Sequence, residues 1–243
     1  SEMCIRDSPN NELAYKSIEE LPVTPIGCDS SASWSKKYKH LQLTKTPEEV
    51  FEHLVSLLPN GTFEGRHGED IHLVITGGEP LLGWQRVWPS LLSMCKERGL
   101  ENVTFETNGS KEVTPDLINY FNSPEGESIH VTWSTSPKLS LSGEKLEDTL
   151  KPECLVSMNQ VLNSYLYNKF VVRDMLDFDE VDMFVQAYKD ARVIVDAVYC
   201  MPEGATLEQQ TLTAKGVAEA CMKTGYKFSP RLHIDLFGNA WGT

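Results

Sequence analysis

No stretch of the sequence approaches the ~20 consecutive apolar residues that a membrane-spanning helix needs, and no run of basic, apolar and small residues marks a secretory signal. Basic residues are scarce as well: 22 Lys and Arg stand against 35 Asp and Glu in 243 residues, a formal net charge of -13. Such a surface repels phosphate backbones and anionic lipid, which excludes nucleic acid and membranes as partners. A soluble, cytoplasmic protein is the expectation. Cysteine is sparse, its six copies (Cys4, Cys28, Cys95, Cys154, Cys200, Cys221) scattered through a chain too large to need a disulfide framework, which points to reduced thiols. The Gly-x-x-x-x-Gly-Lys-Ser/Thr spacing of a phosphate loop is missing, and so is the third glycine of a dinucleotide site. There is no internal repeat, low-complexity tract or interdomain linker.

What is present suits one sizeable core: 40% of residues are hydrophobic and 9% aromatic. From residue 71 onward, β-branched runs alternate with amphipathic stretches. The predicted strands are 71–75, 103–106, 129–133, 169–172, 193–198 and 232–235, with starts roughly 30 residues apart. Strand-helix alternation of this kind implies βαβ units and a mainly parallel sheet, open or curved into a barrel. One helix start is explicit. Thr46-Pro47-Glu48-Glu49 supplies an N-cap hydroxyl, proline at the first helical position and a glutamate three residues after the cap, ahead of apolar Val50, Phe51 and Leu54. Gly99, after Lys96-Glu97-Arg98, reads as a helix-ending glycine. Cys95 and Cys221 fall in helix-like runs and Cys154 has no ligand-like neighbour, so these three read as small buried hydrophobes.

Residues 1–27 differ in kind, being polar, aperiodic and interrupted by Pro9, Pro22 and Pro25. They hold no strand with which a barrel could begin, and Ser1–Ser8 reads equally as native or foreign sequence. The expected division is an irregular arm over 1–27 and a single α/β domain over 28–243.

Ligands of α/β sheets collect at the carboxyl ends of the strands. After the first predicted strand comes Thr76-Gly77-Gly78-Glu79-Pro80, where two glycines let backbone approach a ligand and a carboxylate can meet a cation. The second ends in Glu106-Thr107-Asn108-Gly109, polar groups suited to ribose hydroxyls, and the third in Ser134-Thr135-Ser136-Pro137-Lys138. The fifth ends in Cys200-Met201-Pro202-Glu203-Gly204, which by itself is a loop without a role. Cys28, Glu79, Asn108, Lys138 and Pro202 are expected around one cavity, and Glu79→Ala is expected to weaken ligand binding with little change in stability.

Together with Gly27-Cys28-Asp29-Ser30, Lys169-Phe170-Val171-Val172 and the ending Phe237 to Thr243, these segments resemble the radical S-adenosylmethionine superfamily and, within it, the 7-carboxy-7-deazaguanine synthase family. The resemblance runs from about residue 20 to the end and rests on the order and spacing of short segments. It implies a partial (β/α) barrel of mainly parallel strands, lacking the first strand of the superfamily core. It further implies that Gly77, Gly78, Glu79 and Pro80 hold the amino-acid end of S-adenosylmethionine. Contacts from Glu106, Asn108, Ser136, Pro137, Lys138 and the segment Met201, Pro202, Glu203 and Gly204 complete that cofactor's site. Thr76 and the final Thr243 would meet a pterin substrate, Cys28 would be a thiolate ligand of a 4Fe-4S cluster, and Ser30 would offer a hydroxyl to Mg2+.

The family reaction is a ring contraction. Cleavage of S-adenosylmethionine at the cluster yields a radical that takes hydrogen from 6-carboxy-5,6,7,8-tetrahydropterin, whose ring rearranges with loss of ammonia. An electron-donor protein is then a required partner, and a homodimer is one admissible assembly. The departures from the family pattern lie upstream: a Gln-Gly-Glu-Gly segment, a substrate-facing arginine and two cysteines that should precede Cys28 are absent, Cys4 being the only upstream thiol. Two readings follow: an enzyme whose sequence is truncated at its amino end, or a non-catalytic S-adenosylmethionine or pterin binder that has lost its cluster.

Overall fold

The computed structural model describes residues 15–17, 20–21 and 35–238. Its first α-helix, α1 (Pro47–Leu57), begins as the sequence predicts. The Glu49 amide donates to Thr46 Oγ1 at 3.2 Å and the Thr46 amide to the Glu49 carboxylate at 2.8 Å, so two amides with no helical partner are satisfied reciprocally. Strand and helix then alternate through β1 (Leu73–Ile75), α2 (Trp88–Lys96), β2 (Asn102–Thr107), α3 (Pro115–Phe121) and β3 (His130–Thr135). After α4 (Leu146–Thr149) and α5 (Pro152–Met158) come β4 (Ser164–Val172), α6 (Met175–Asp190), β5 (Ala197–Pro202), α7 (Leu207–Thr224), β6 (Lys227–Phe228) and α8 (Leu232–Phe237).

The strands form one six-stranded sheet in chain order, β1-β2-β3-β4-β5-β6, and every pairing is parallel. Sequential order with helical crossovers is the arrangement of a (β/α) barrel that stops short of closure. The register puts successive side chains on opposite faces. One face carries Val103, Phe105, Val131, Trp133, Leu166, Phe170 and Cys200, all 0–1% exposed beneath the helices. Phe105 and Trp133 stack at 5.0 Å between ring centres and Phe121 of α3 packs edge-on to both, which joins strand and helix layers through dispersion and burial. Thr104, Glu106, Thr132, Tyr165, Tyr167, Lys169 and Tyr199 line the opposite, half-buried face.

Two expectations from the sequence are corrected. Leu232 to Asp235 is not a strand but the first part of α8, where the Ile234 amide bonds the Arg231 carbonyl and the Gly238 amide the Ile234 carbonyl. The run 193–198 enters the sheet only at Ala197, and β5 continues to Pro202, so Cys200, Met201 and Pro202 belong to the strand and not to the loop after it. Gly99 does close α2, with φ +87 and its amide on the Lys96 carbonyl.

Candidate functional site

Parallel pairing sends every carboxyl end to the same edge, and the sequence-nominated segments lie at the ends of β1, β2, β3 and β5 there. Beyond Ile75 the chain turns through Gly77 at φ +83 and Gly78 at φ +46, left-handed conformations that cost a side chain dearly. Thr76 is exposed beside them and Pro80 is buried, its carbonyl held by the Trp88 indole at 3.1 Å. Glu79 does more than sequence reasoning assigned to it. One carboxylate oxygen accepts from the Leu81 amide at 3.1 Å and Thr107 Oγ1 at 2.6 Å, and the other accepts from the Asn108 amide at 2.9 Å. The side chain is a brace between the ends of β1 and β2. Replacing it is therefore expected to disturb both turns, a stability cost that the sequence alone does not suggest.

The brace extends sideways. Thr107 Oγ1 also accepts from the Gly109 amide at 3.2 Å, the Thr107 carbonyl accepts from the Ser136 amide at 2.8 Å, and Asn108 Oδ1 accepts from the Ser110 amide at 2.9 Å. Three strand ends are thus tied in a row, with Asn108, Ser136 and Lys138 half-buried on the rim and Pro137 buried behind them. Past Lys138 the chain is anchored to α6, where the Glu180 carboxylate accepts from the Ser140 amide and hydroxyl.

At the far end, the Glu203 amide bonds to the Val172 carbonyl, and Gly204 turns at φ +141 so close to α7 that a Cβ would lie 2.8 Å from the Gln210 amide nitrogen. Arg231 Nη1 donates to the Gly204 carbonyl at 2.9 Å, fixing this corner from the start of α8. Sequence reasoning missed Arg231 because it assigned the neighbouring run to a strand. It also missed Lys169 as a site residue. Lys169 Nζ donates to Glu106 Oε1 at 2.9 Å across the intervening β3, and period-two alternation opposite buried Phe170 was the signal that could have placed it on the open face.

Cys28, Ser30 and Thr243, nominated for the cluster, Mg2+ and the substrate, lie outside the described residues. The four described cysteines are 0–4% exposed on the helix-packed side. Burial pushes the thiols of Cys95 and Cys154 up to about 11 and raises those of Cys200 and Cys221 as well. Iron binds thiolates, which this environment disfavours. Cys200 points away from the open face, toward Cys221 of α7. Among the described residues, no group of three or more His, Cys, Asp and Glu could hold a metal ion, and no helix is long and apolar enough to cross a membrane.

No family model matches the chain. Over 221 residues it is 30% identical to a 7-carboxy-7-deazaguanine synthase of Pyrobaculum aerophilum, an alignment spanning 91% of this chain and 84% of that protein. It is 31% identical over 175 residues to a protein of the same name from Halobacterium salinarum, covering 70% of this chain and 66% of the relative. A third of that name, from Rhodopirellula baltica, is 29% identical over 184 residues, 71% of this chain and 63% of the relative.

Proposed function

The chain belongs to the 7-carboxy-7-deazaguanine synthase family, and from that premise we propose that its strand-end site serves the ring contraction of 6-carboxy-5,6,7,8-tetrahydropterin to 7-carboxy-7-deazaguanine, with loss of ammonia, in queuosine-type biosynthesis. The observation that supports it is the row of braced strand ends, in which the segments nominated from sequence lie along one edge and three of them are hydrogen-bonded to one another. S-adenosylmethionine suits these residues. The left-handed Gly77-Gly78 turn lets a ligand's polar end reach main chain, while Asn108, Ser136 and Lys138 offer an amide, a hydroxyl and an ammonium along the rim. In this reading Met201 to Gly204 closes the far side, and Thr76 and Thr243 face the pterin. The domain is residues 28–243, and an electron-donor protein completes the system.

The 4Fe-4S cluster does not fit the described residues. Of six cysteines in the sequence, four are buried away from the open face, which leaves Cys4 and Cys28, one thiolate fewer than a three-cysteine cluster needs. A second reading is a pterin or S-adenosylmethionine binder without a cluster. One experiment separates the two. This polypeptide, reconstituted anaerobically with iron and sulfide, is compared with a chain extended upstream by a segment carrying Cys-x-x-x-Cys, reading iron content, visible absorbance and product. The enzyme reading expects about four irons and product only with the extension. Absence of product from the extended chain, with pterin still bound, selects the binder. A full cluster and turnover in the chain as written would require Cys4, Cys28 and a rearranged Cys200 as ligands and would overturn the ligand count.

A further inference from the structure

On the half-buried face of the sheet, Glu106 of β2, Ser134 of β3 and Tyr167 of β4 lie in one row of the register, and Lys169 follows two residues after Tyr167. Lys169 reaches back across β3 to place Nζ 2.9 Å from Glu106 Oε1. The lysine side chain is 21% exposed and the glutamate 41%, so the cation is the more sheltered partner and the carboxylate the more exposed one. Ser134 Oγ, beside the crossing, is fully buried and has no hydrogen-bond partner among the described residues, so it does not share in holding the carboxylate. No further partner of Glu106 Oε2 occurs among the described residues. One oxygen is therefore held by the lysine while the 41% exposed side chain leaves the other accessible among the described residues, one residue before Thr107 and Asn108.

We propose that Lys169 is a positioning residue, holding the Glu106 carboxylate so that its second oxygen accepts a neutral O–H or N–H of the bound ligand. The inference rests on the functional reading above and deepens it. A carboxylate free to swing among rotamers loses part of its hydrogen-bond strength to ordering, and a charge-assisted bond to a lysine packed against the sheet removes that cost before the ligand arrives. Two sources offer the donor: a ribose hydroxyl of S-adenosylmethionine, or a ring N–H of the pterin.

The test titrates the full chain with S-adenosylmethionine in one arm and with 6-carboxypterin, a stable oxidised relative of the substrate, in the other. Wild type is compared with Lys169→Met, Lys169→Arg, Glu106→Gln and the double variant Lys169→Met/Glu106→Gln. Lys169→Met is expected to weaken one probe about tenfold, and the affected arm identifies the donor. Lys169→Arg is expected to stay within about threefold of wild type, and Lys169→Met to change binding less than about twofold once Glu106 is already glutamine. Thermal melting of each variant accompanies the titrations. Equal binding by wild type and Lys169→Met in both arms overturns the proposal and leaves the functional reading standing. An undiminished effect of Lys169→Met in the Glu106→Gln background also overturns it, since Lys169 would then act directly or through packing. Failure of both the chain as written and the chain extended upstream to bind either probe overturns the functional reading, and the ligand assigned to Glu106 with it.

Discussion

The two faces of this one sheet are built by opposite rules from the same strands. Beneath the helices the strands present aromatic and aliphatic side chains excluded from water, with Trp133, Phe105 and Phe170 fully buried. On the other face the same strands present Thr104, Glu106, Thr132, Tyr167, Lys169 and Tyr199, half-buried and able to meet a ligand. Apolar burial is where stability accumulates, at about 25 cal/mol per Å². The polar face contributes little of it and is free to specialise. The strand-end braces join the two, because Thr107, itself 3% exposed, carries the hydroxyl that holds Glu79 at the rim.

The contrast breaks most sharply at Trp133. Trp133→Ala should destabilise the chain by about 3–5 kcal/mol in urea unfolding, because the space it leaves is walled by Phe105 and Phe121 and cannot collapse. A loss below about 1 kcal/mol would mean that the helix-covered face is not the core. Glu79→Ala should cost about 2–3 kcal/mol, since it strands the Thr107 hydroxyl and the Leu81 and Asn108 amides, and it should weaken S-adenosylmethionine binding in calorimetry. Unchanged stability would leave Glu79 as a ligand group alone.

A smaller effect follows from pH. The Cys95 and Cys154 thiols titrate near 9 when unfolded and near 11 when folded, so the folded state keeps its protons longer. Their contribution is complete below pH 9 and is lost as pH rises from about 9 through 11. Unfolding monitored across that window should show the decline, and replacing both thiols by alanine should lessen it, the raised Cys200 and Cys221 thiols keeping the remainder. The least effect belongs to the open face. Lys227→Met removes the ammonium 5.3 Å from the Tyr199 ring centre and should change stability by no more than about 1 kcal/mol. A larger loss would show that this face carries part of the core's burden.

Much of the fold was legible because local chemistry and tertiary role agreed. Thr46 and Glu49 form a reciprocal cap whatever follows, and the β-branched runs around Val103, Val131 and Phe170 alternate with helices in the only pattern that a parallel sheet admits. The run Leu232 to Asp235 misled because four apolar-rich residues satisfy a strand and a helix equally. The site was legible as segments and not as bonds. Gly77 and Gly78 announced a turn that side chains disfavour, yet nothing in their vicinity said that Glu79 would spend its carboxylate on Thr107 and Asn108, 28 and 29 residues away.

By itself, then, the sequence determined the cap at Thr46 and Glu49, the glycine-rich turn after the first strand and the alternation of strand and helix, because each depends on neighbours within a few positions. Only the tertiary structure decided that Glu79 braces two strands, that Lys169 crosses β3 to hold Glu106 from 63 residues away, and that Cys200 turns from the open face toward α7. These are contacts between distant segments, and their geometry is set by sheet register and by the face each side chain occupies, which exist only once the strands have paired.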